Sequence, residues 1–287
     1  MTVRAGTVKA AGNIRYRDVS QEGGTHQDMR TGSLLETLVV VARTPGAGGA
    51  RPKLVAQVGE VEAERLHAAF LSDAVQVAGA WKTREGSQEQ REVALYLGDA
   101  TDDALAAELA SVAHARLRVP SGHDLGEQVK HALQDELDRG AHRVLALFPH
   151  APSLPVHLVE EGFRAVCFQD AVVGPSFDGG IWALGVRRDP DHDAVKETAL
   201  YAAVLEKQPW DTHGLLQSMT ERSHKAGFHL HWLPFWMDAA DQAALPRLKT
   251  YLRYQELRGA TAGAATRAAL NHAPPPAPPT VVRARRH

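Results

Sequence analysis

Asp170-Ala171-Val172-Val173-Gly174-Pro175-Ser176-Phe177-Asp178-Gly179-Gly180-Ile181-Trp182-Ala183-Leu184-Gly185-Val186 holds two short apolar runs separated by a turn sequence. The runs, 171–174 and 181–186, have the length of buried strands. Asp178-Gly179-Gly180 lies between them. Glycine accepts positive φ at little cost, so this triplet suits a tight hairpin. Such a turn also presents the Asp178 carboxylate beside backbone that a substrate can approach closely.

Working outward from this hairpin, strand and helix signals alternate. Upstream, Val144 to Phe148 is an apolar strand followed by a helix near 156–161. Before it, Asp124-Leu125-Gly126-Glu127 opens a helix: Asp caps exposed N–H groups and Glu three residues later reaches back. Leu125, Val129, Ala132, Leu133 and Leu137 form the buried stripe of that helix, and Gly140 ends it. Further back lie strands at 38–42, 93–97 and near 116–119. The stripe Ala63, Leu66, Phe70, Ala74, Val77 and Trp81 marks a helix, and a shorter one spans 104–110. Downstream come a helix at 213–225, a strand at 228–232 and a last helix at 248–257. The alternation predicts a three-layer α/β/α domain with a mostly parallel sheet. Ligands of such sheets bind beyond the carboxyl ends of the strands. That directs attention to the loops 44–53 and 149–152 and to the segment around Asp238.

The predicted folded domain is 34–258. Residues 1–33 carry charge, Gly and Ser without periodicity and read as a flexible N-terminal tail. Residues 259–287 are Ala- and Pro-rich, end in Arg283, Arg285 and Arg286, and read as a basic C-terminal tail. That leaves roughly 230 residues for a core. Apolar residues make up 44% of the chain, which excludes a disordered polymer. The net charge of −2 gives no electrostatic case for nucleic acid. There is one cysteine, Cys167, in the run Val166-Cys167-Phe168, so it reads as a small buried hydrophobe. No secretory h-region opens the chain, and no apolar run reaches the ~20 residues a membrane span needs. The expectation is a soluble cytoplasmic protein. No signature of a particular oligomeric state is visible.

Four constellations can carry chemistry. Arg43-Thr44-Pro45-Gly46, with Arg51 and Lys53, is a Gly-containing basic loop after the first strand. Backbone N–H groups and cations in such a loop can hold a pyrophosphate, although no P-loop or Rossmann fingerprint is present and a solvated loop has the same composition. Pro149-His150-Ala151-Pro152 turns the chain at a strand end, where His150 can ligate a metal, donate a proton or serve only the turn. Asp178 with Gly179 and Gly180 is the hairpin already described. Asp238 follows the last strand and can bind a divalent cation, and Asp241 can cap the next helix.

Over roughly Leu38 to Tyr254 these stretches resemble a bacterial glycosyltransferase-like family of the radical-SAM- or selenium-associated type. That family is related in fold to molybdenum cofactor and phospholactate guanylyltransferases, within the nucleotide-diphospho-sugar transferase (GT-A-like) superfamily. The resemblance is carried by Val41-Ala42-Arg43-Thr44-Pro45-Gly46 with Arg51-Pro52-Lys53-Leu54, by Asp124-Leu125-Gly126-Glu127, by Asp170 to Val186, by Pro209-Trp210-Asp211-Thr212 and by Leu233 to Leu245. It implies a GT-A-like fold and a transferase using a nucleotide-activated donor such as a nucleotide sugar. A nucleotidyltransferase and a catalytically degenerate nucleotide- or protein-binding homologue are the alternatives. It further implies nucleotide contacts at Arg43, Arg51, Lys53, Asp124, Gly179 and Gly180, catalytic roles for Asp178 and Asp238, and a weakly bound Mn²⁺ or Mg²⁺ at Asp238 and His150. Two departures weaken the metal: His150 stands where the family places Asp, and Ala240 replaces a second Asp.

Overall fold

The apolar and β-branched run Thr37-Leu38-Val39-Val40-Val41-Ala42 forms the middle of the nine-residue central strand β1, Leu35–Arg43. The structure is a computed structural model that describes residues 34–46, 48–98, 103–189, 191, 193–239 and 242–271. After β1 come α1 (Pro52–Val58), α2 (Glu60–Thr83), β2 (Gln90–Gly98), α3 (Asp103–Val112), β3 (Arg116–Arg118) and α4 (Leu125–Asp138). The second half runs β4 (Arg143–Leu147), α5 (Val156–Val166), β5 (Ala171–Pro175), β6 (Ile181–Arg187), α6 (Ala194–Val204), α7 (Leu215–Lys225), β7 (Leu230–Trp232), α8 (Leu245–Leu257) and α9 (Ala264–Asn271).

The strands form one seven-stranded sheet in the order β3-β2-β1-β4-β6-β5-β7. β1 pairs in parallel with β2 and β4, and β5 with β7; β6 alone runs against its neighbours. Side chains alternate between the two faces of a strand. Leu38 and Val40 therefore join Leu95, Leu145 and Leu147 under α2, α3 and α5. Val39 and Val41 join Tyr96, Val144 and Ala146 under α4, α6 and α7. Burial on both faces explains why β1 reads as a continuous apolar run rather than an alternating one. The fold is the predicted three-layer α/β/α arrangement with a mostly parallel sheet.

A third apolar cluster joins Leu54 of α1, Ala63, Leu66 and Phe70 of α2, Leu248 and Leu252 of α8, and Ala269 of α9. This packing runs past the expected boundary at 258. Residues 264–271 are a packed helix, because the buried carboxylate of Asp73 accepts hydrogen bonds from Ala265 N at 3.0 Å and Thr266 N at 2.8 Å. Asp73 thus caps α9 from another element. An Ala-rich stretch carries no strong apolar stripe, and the cap lies 192 residues away in sequence, so local pattern did not reveal it. The N-terminal tail and the Pro- and Arg-rich end lie outside the described residues, as do Ala240 and Asp241. Cys167 is corrected. It ends α5 half-buried, its Sγ donating to Phe163 O at 3.2 Å, and Phe168 projects outward. Among the described residues no helix is long and apolar enough to cross a membrane.

Candidate functional site

The site residues gather at the carboxyl ends of β1 and β4 and at the β5–β6 hairpin. After β1 the chain is pinned by Glu64 of α2, whose carboxylate accepts from Gly46 N at 2.8 Å and Ala50 N at 2.9 Å. Pro52 then starts α1, which carries Lys53 in its first turn, with Arg51 at its N-cap. After β4, Phe148-Pro149-His150 bends across the sheet end. In the hairpin, Asp178 Oδ1 accepts from Ser176 Oγ at 2.6 Å and Gly180 N at 2.9 Å. Gly179 is required there: its φ is +86°, and a Cβ would stand 2.2 Å from His213 O.

Two charge clusters result. In the first, Arg51 bridges two carboxylates, with Nη2 3.0 Å from Asp211 Oδ1 and Nη1 3.6 Å from Asp238 Oδ2. Asp211 is half exposed and held at φ +60°, a left-handed conformation costly for a non-glycine residue; the Asp238 side chain is buried. His150 Nε2 lies 3.3 Å from the same Asp238 oxygen and 2.9 Å from Ile181 O. A carbonyl only accepts, so Nε2 carries the hydrogen. Burial, with Arg51 close by, pushes the His150 imidazole down to about 3, so it is neutral at physiological pH. In the second cluster, Lys53 Nζ donates to His213 Nε2 at 2.9 Å while His213 Nδ1 donates to the Asp178 carbonyl. Burial by itself would raise the Asp178 carboxyl. The Ser176 and Gly180 hydrogen bonds outweigh it, and the group stays below the usual carboxylate range.

Three recesses that share lining residues open around these charges. One of 160 Å³ reaches from Arg43 and Arg51 between Phe70, Phe148, Leu125 and His150, with predominantly apolar walls. Another of 210 Å³ is lined by Arg51, Lys53, Asp178, Asp211 and His213. The largest, 600 Å³, lies between Asp178, Asp238, Phe177 and Arg247. Of the residues singled out in the sequence, Arg43, Arg51, Lys53, His150, Asp178 and Asp238 therefore line these neighbouring recesses, and Gly179 and Gly180 belong to the hairpin that carries Asp178.

Asp124 is the exception. It is the N-cap of α4, accepting from Glu127 N at 2.8 Å, and lines a separate recess with Lys130 and Trp210. Its neighbours Leu125 and Gln128 face the apolar recess. Sequence reasoning missed Asp211 and His213 as site residues. Their position beside Pro209-Trp210 was the available signal: Trp210 packs against Gly126, where a Cβ would meet its Nε1 at 2.3 Å, and this fixes the loop against α4.

The described donors do not fit a divalent cation. Such ions take six or more ligands, mainly oxygens. Among the described residues no three His, Cys, Asp or Glu side chains converge on one point. His150 Nε2, 3.3 Å from Asp238, carries the hydrogen it donates to Ile181 O and so has no lone pair to offer there, and a guanidinium already stands 3.6 Å from the same carboxylate.

Residues 83–212 match the family described as an uncharacterized protein conserved in bacteria (DUF2064). A crystal structure from Desulfovibrio desulfuricans G20, provisionally assigned as a nucleotide-diphospho-sugar transferase, superposes with a TM-score of 0.64 at 23% identity, covering 83% of this chain and 97% of that one. The chain has the nucleotide-diphospho-sugar transferase fold. A nucleotidyl transferase from Methanothermobacter thermautotrophicus is more distant, with a TM-score of 0.49 at 14% identity over 78% of this chain and all of that one. The 4-diphosphocytidyl-2C-methyl-D-erythritol synthase of Anaerococcus prevotii follows at 0.46 and 13%, over 77% and 96%. No curated protein matches. The family match begins after Arg51 and Lys53 and ends at Thr212, so the basic loop lies outside it and Asp211 within it.

Proposed function

We propose that this protein is a transferase acting on a nucleotide-activated donor, a nucleotide sugar in the leading reading. The observation that supports this most is the juxtaposition of a predominantly apolar recess with a cation-bearing one at the carboxyl ends of β1 and β4. A nucleoside needs a flat, mostly apolar slot with a few polar edges; here Gln128 and His67 supply polar edges beside Phe70 and Phe148. A diphosphate needs cations, and Arg51 and Lys53 line the adjoining recess. The third recess then takes the acceptor beside Asp178, an ionised carboxylate that can accept a hydrogen bond from the attacking hydroxyl and orient it.

The fold likeness to a provisionally assigned sugar-nucleotide enzyme agrees with this reading, and its test is direct. Thermal shift against nucleoside di- and triphosphates and nucleotide sugars should show specific stabilisation, because a ligand of the native state raises its stability by mass action. Turnover is then followed by release of nucleoside diphosphate from the stabilising donor. Release of pyrophosphate from a nucleoside triphosphate instead would assign a nucleotidyltransferase. Stabilisation without turnover would support the binding-only homologue, which the Asp238–Arg51 and Asp238–His150 contacts favour.

A further inference from the structure

We infer that the resident cation of this site is Arg51 itself, so that a diphosphate is held by the guanidinium without a divalent metal and Asp211 pairs with the guanidinium edge that the phosphate takes. The part concerning phosphate rests on the transferase reading; the part concerning metal does not.

The argument starts at Asp238. A buried carboxylate must be neutralised or neutralise itself. Arg51 Nη1 at 3.6 Å supplies a full positive charge, and the His150 N–H at 3.3 Å supplies a dipole. A metal at this carboxylate would meet the guanidinium within a few ångströms and would find an N–H where it needs a lone pair.

The other edge of the guanidinium faces the recess. Its Nε and Nη2 both approach one oxygen of Asp211, at 3.3 and 3.0 Å. That carboxylate is half exposed on a left-handed backbone, in a loop rather than a regular element. An anion with two suitably spaced oxygens can take over the same fork while Asp211 turns to solvent, because guanidinium pairs bidentately with phosphate as with carboxylate. Lys53 lies in the same recess and can add a second charge. Asp211 is therefore an internal competitor whose removal favours the ligand.

The test uses the full chain. Mn²⁺ alone is titrated while free Mn²⁺ is followed by electron paramagnetic resonance, and UDP, CDP, GDP and ADP are titrated calorimetrically in EDTA and in MnCl₂. The wild type is expected to leave Mn²⁺ free and to bind its preferred diphosphate with the same affinity in both buffers. Arg51→Gln should lose about tenfold or more in affinity, the scale of a charge-assisted contact. Arg51→Lys should keep part of it, and Asp211→Asn should bind more tightly than the wild type. Mn²⁺ uptake by the wild type that Asp238→Asn abolishes would overturn the inference, as would diphosphate binding that requires Mn²⁺ or is unmoved in Arg51→Gln. If no diphosphate binds in either buffer, the transferase reading fails and the phosphate part with it, while the Mn²⁺ titration still judges the metal part. If Arg51→Gln does not fold, the wild-type and Asp211→Asn titrations decide.

Discussion

His150 makes the stability of this protein depend on pH in a way that can be worked out. An imidazole in the unfolded chain titrates near 6.5, whereas burial beside Arg51 pushes the native one down to about 3. Between these values the unfolded state binds a proton that the folded state refuses. Acid therefore favours unfolding: the stability contributed by His150 is fully present above about pH 6.5 and is lost as pH falls toward 3. One proton of difference corresponds to roughly 1.4 kcal/mol per pH unit, so lowering pH from 6 to 4 removes on the order of 2–3 kcal/mol. Other groups titrate in the same interval, and the useful quantity is the difference from His150→Gln, which keeps an N–H donor toward Ile181 O and Asp238 but cannot titrate. Urea unfolding at several pH values between 7 and 4 should give a steeper pH dependence for the wild type by about one proton. Parallel curves for the two proteins would mean that His150 protonates normally in the fold, and the description of a neutral, enclosed imidazole beside Arg51 would be wrong.

Two further perturbations probe the scaffold. Gly179→Ala should destabilise by at least about 1–2 kcal/mol for the left-handed backbone alone, and by more because the new methyl meets His213 O at 2.2 Å. Gly227→Ala, at φ +80° with nothing within 4 Å, pays only the first cost, so equal melting temperatures for the two variants would refute the close approach. A chain ended after Arg258 loses α9 and both hydrogen bonds to Asp73, and should be less stable by on the order of 3 kcal/mol. A chain ended after Asn271 keeps every one of those contacts, and chemical denaturation of the two should separate them clearly.

The fold was legible because its signals are local and repeated. β1, β2, β4, β5 and β6 each announce themselves as short apolar runs, and α2 and α4 as stripes stepping by three and four. The exceptions are informative. α1 is only seven residues long and starts at a proline that also reads as loop punctuation. α6 follows Asp193, whose side chain caps it by accepting from Val195 N and Lys196 N; its polar residues Lys196, Glu197 and Thr198 are consecutive rather than aligned on one face, so there is little stripe to find. α9 depends on Asp73, and no window of sequence containing α9 contains its cap. These misses share a cause, in that tertiary partners supply what the local pattern lacks.

The site was legible in its parts and not in its pairings. Arg51, His150, Asp178 and Asp238 drew attention because each sits in a loop or turn beyond a strand, and Lys53 because it opens the helix after such a loop, where the topology delivers side chains to one place. Their chemistry is set by contacts across the chain. Arg51 and Asp211 are 160 residues apart, as are Lys53 and His213. No motif of a few residues encodes whether an aspartate at one strand end faces a metal or an arginine from another. The resemblance led to a metal at Asp238 because it transfers residue by residue, while coordination is a property of a set. Once His150 presents an N–H and Arg51 presents a charge to the same oxygen, the same aspartate serves to orient a guanidinium. A carboxylate retained at a family position can therefore keep its place in the fold while its partner changes from an ion to a side chain, and only the distances around it tell the two apart.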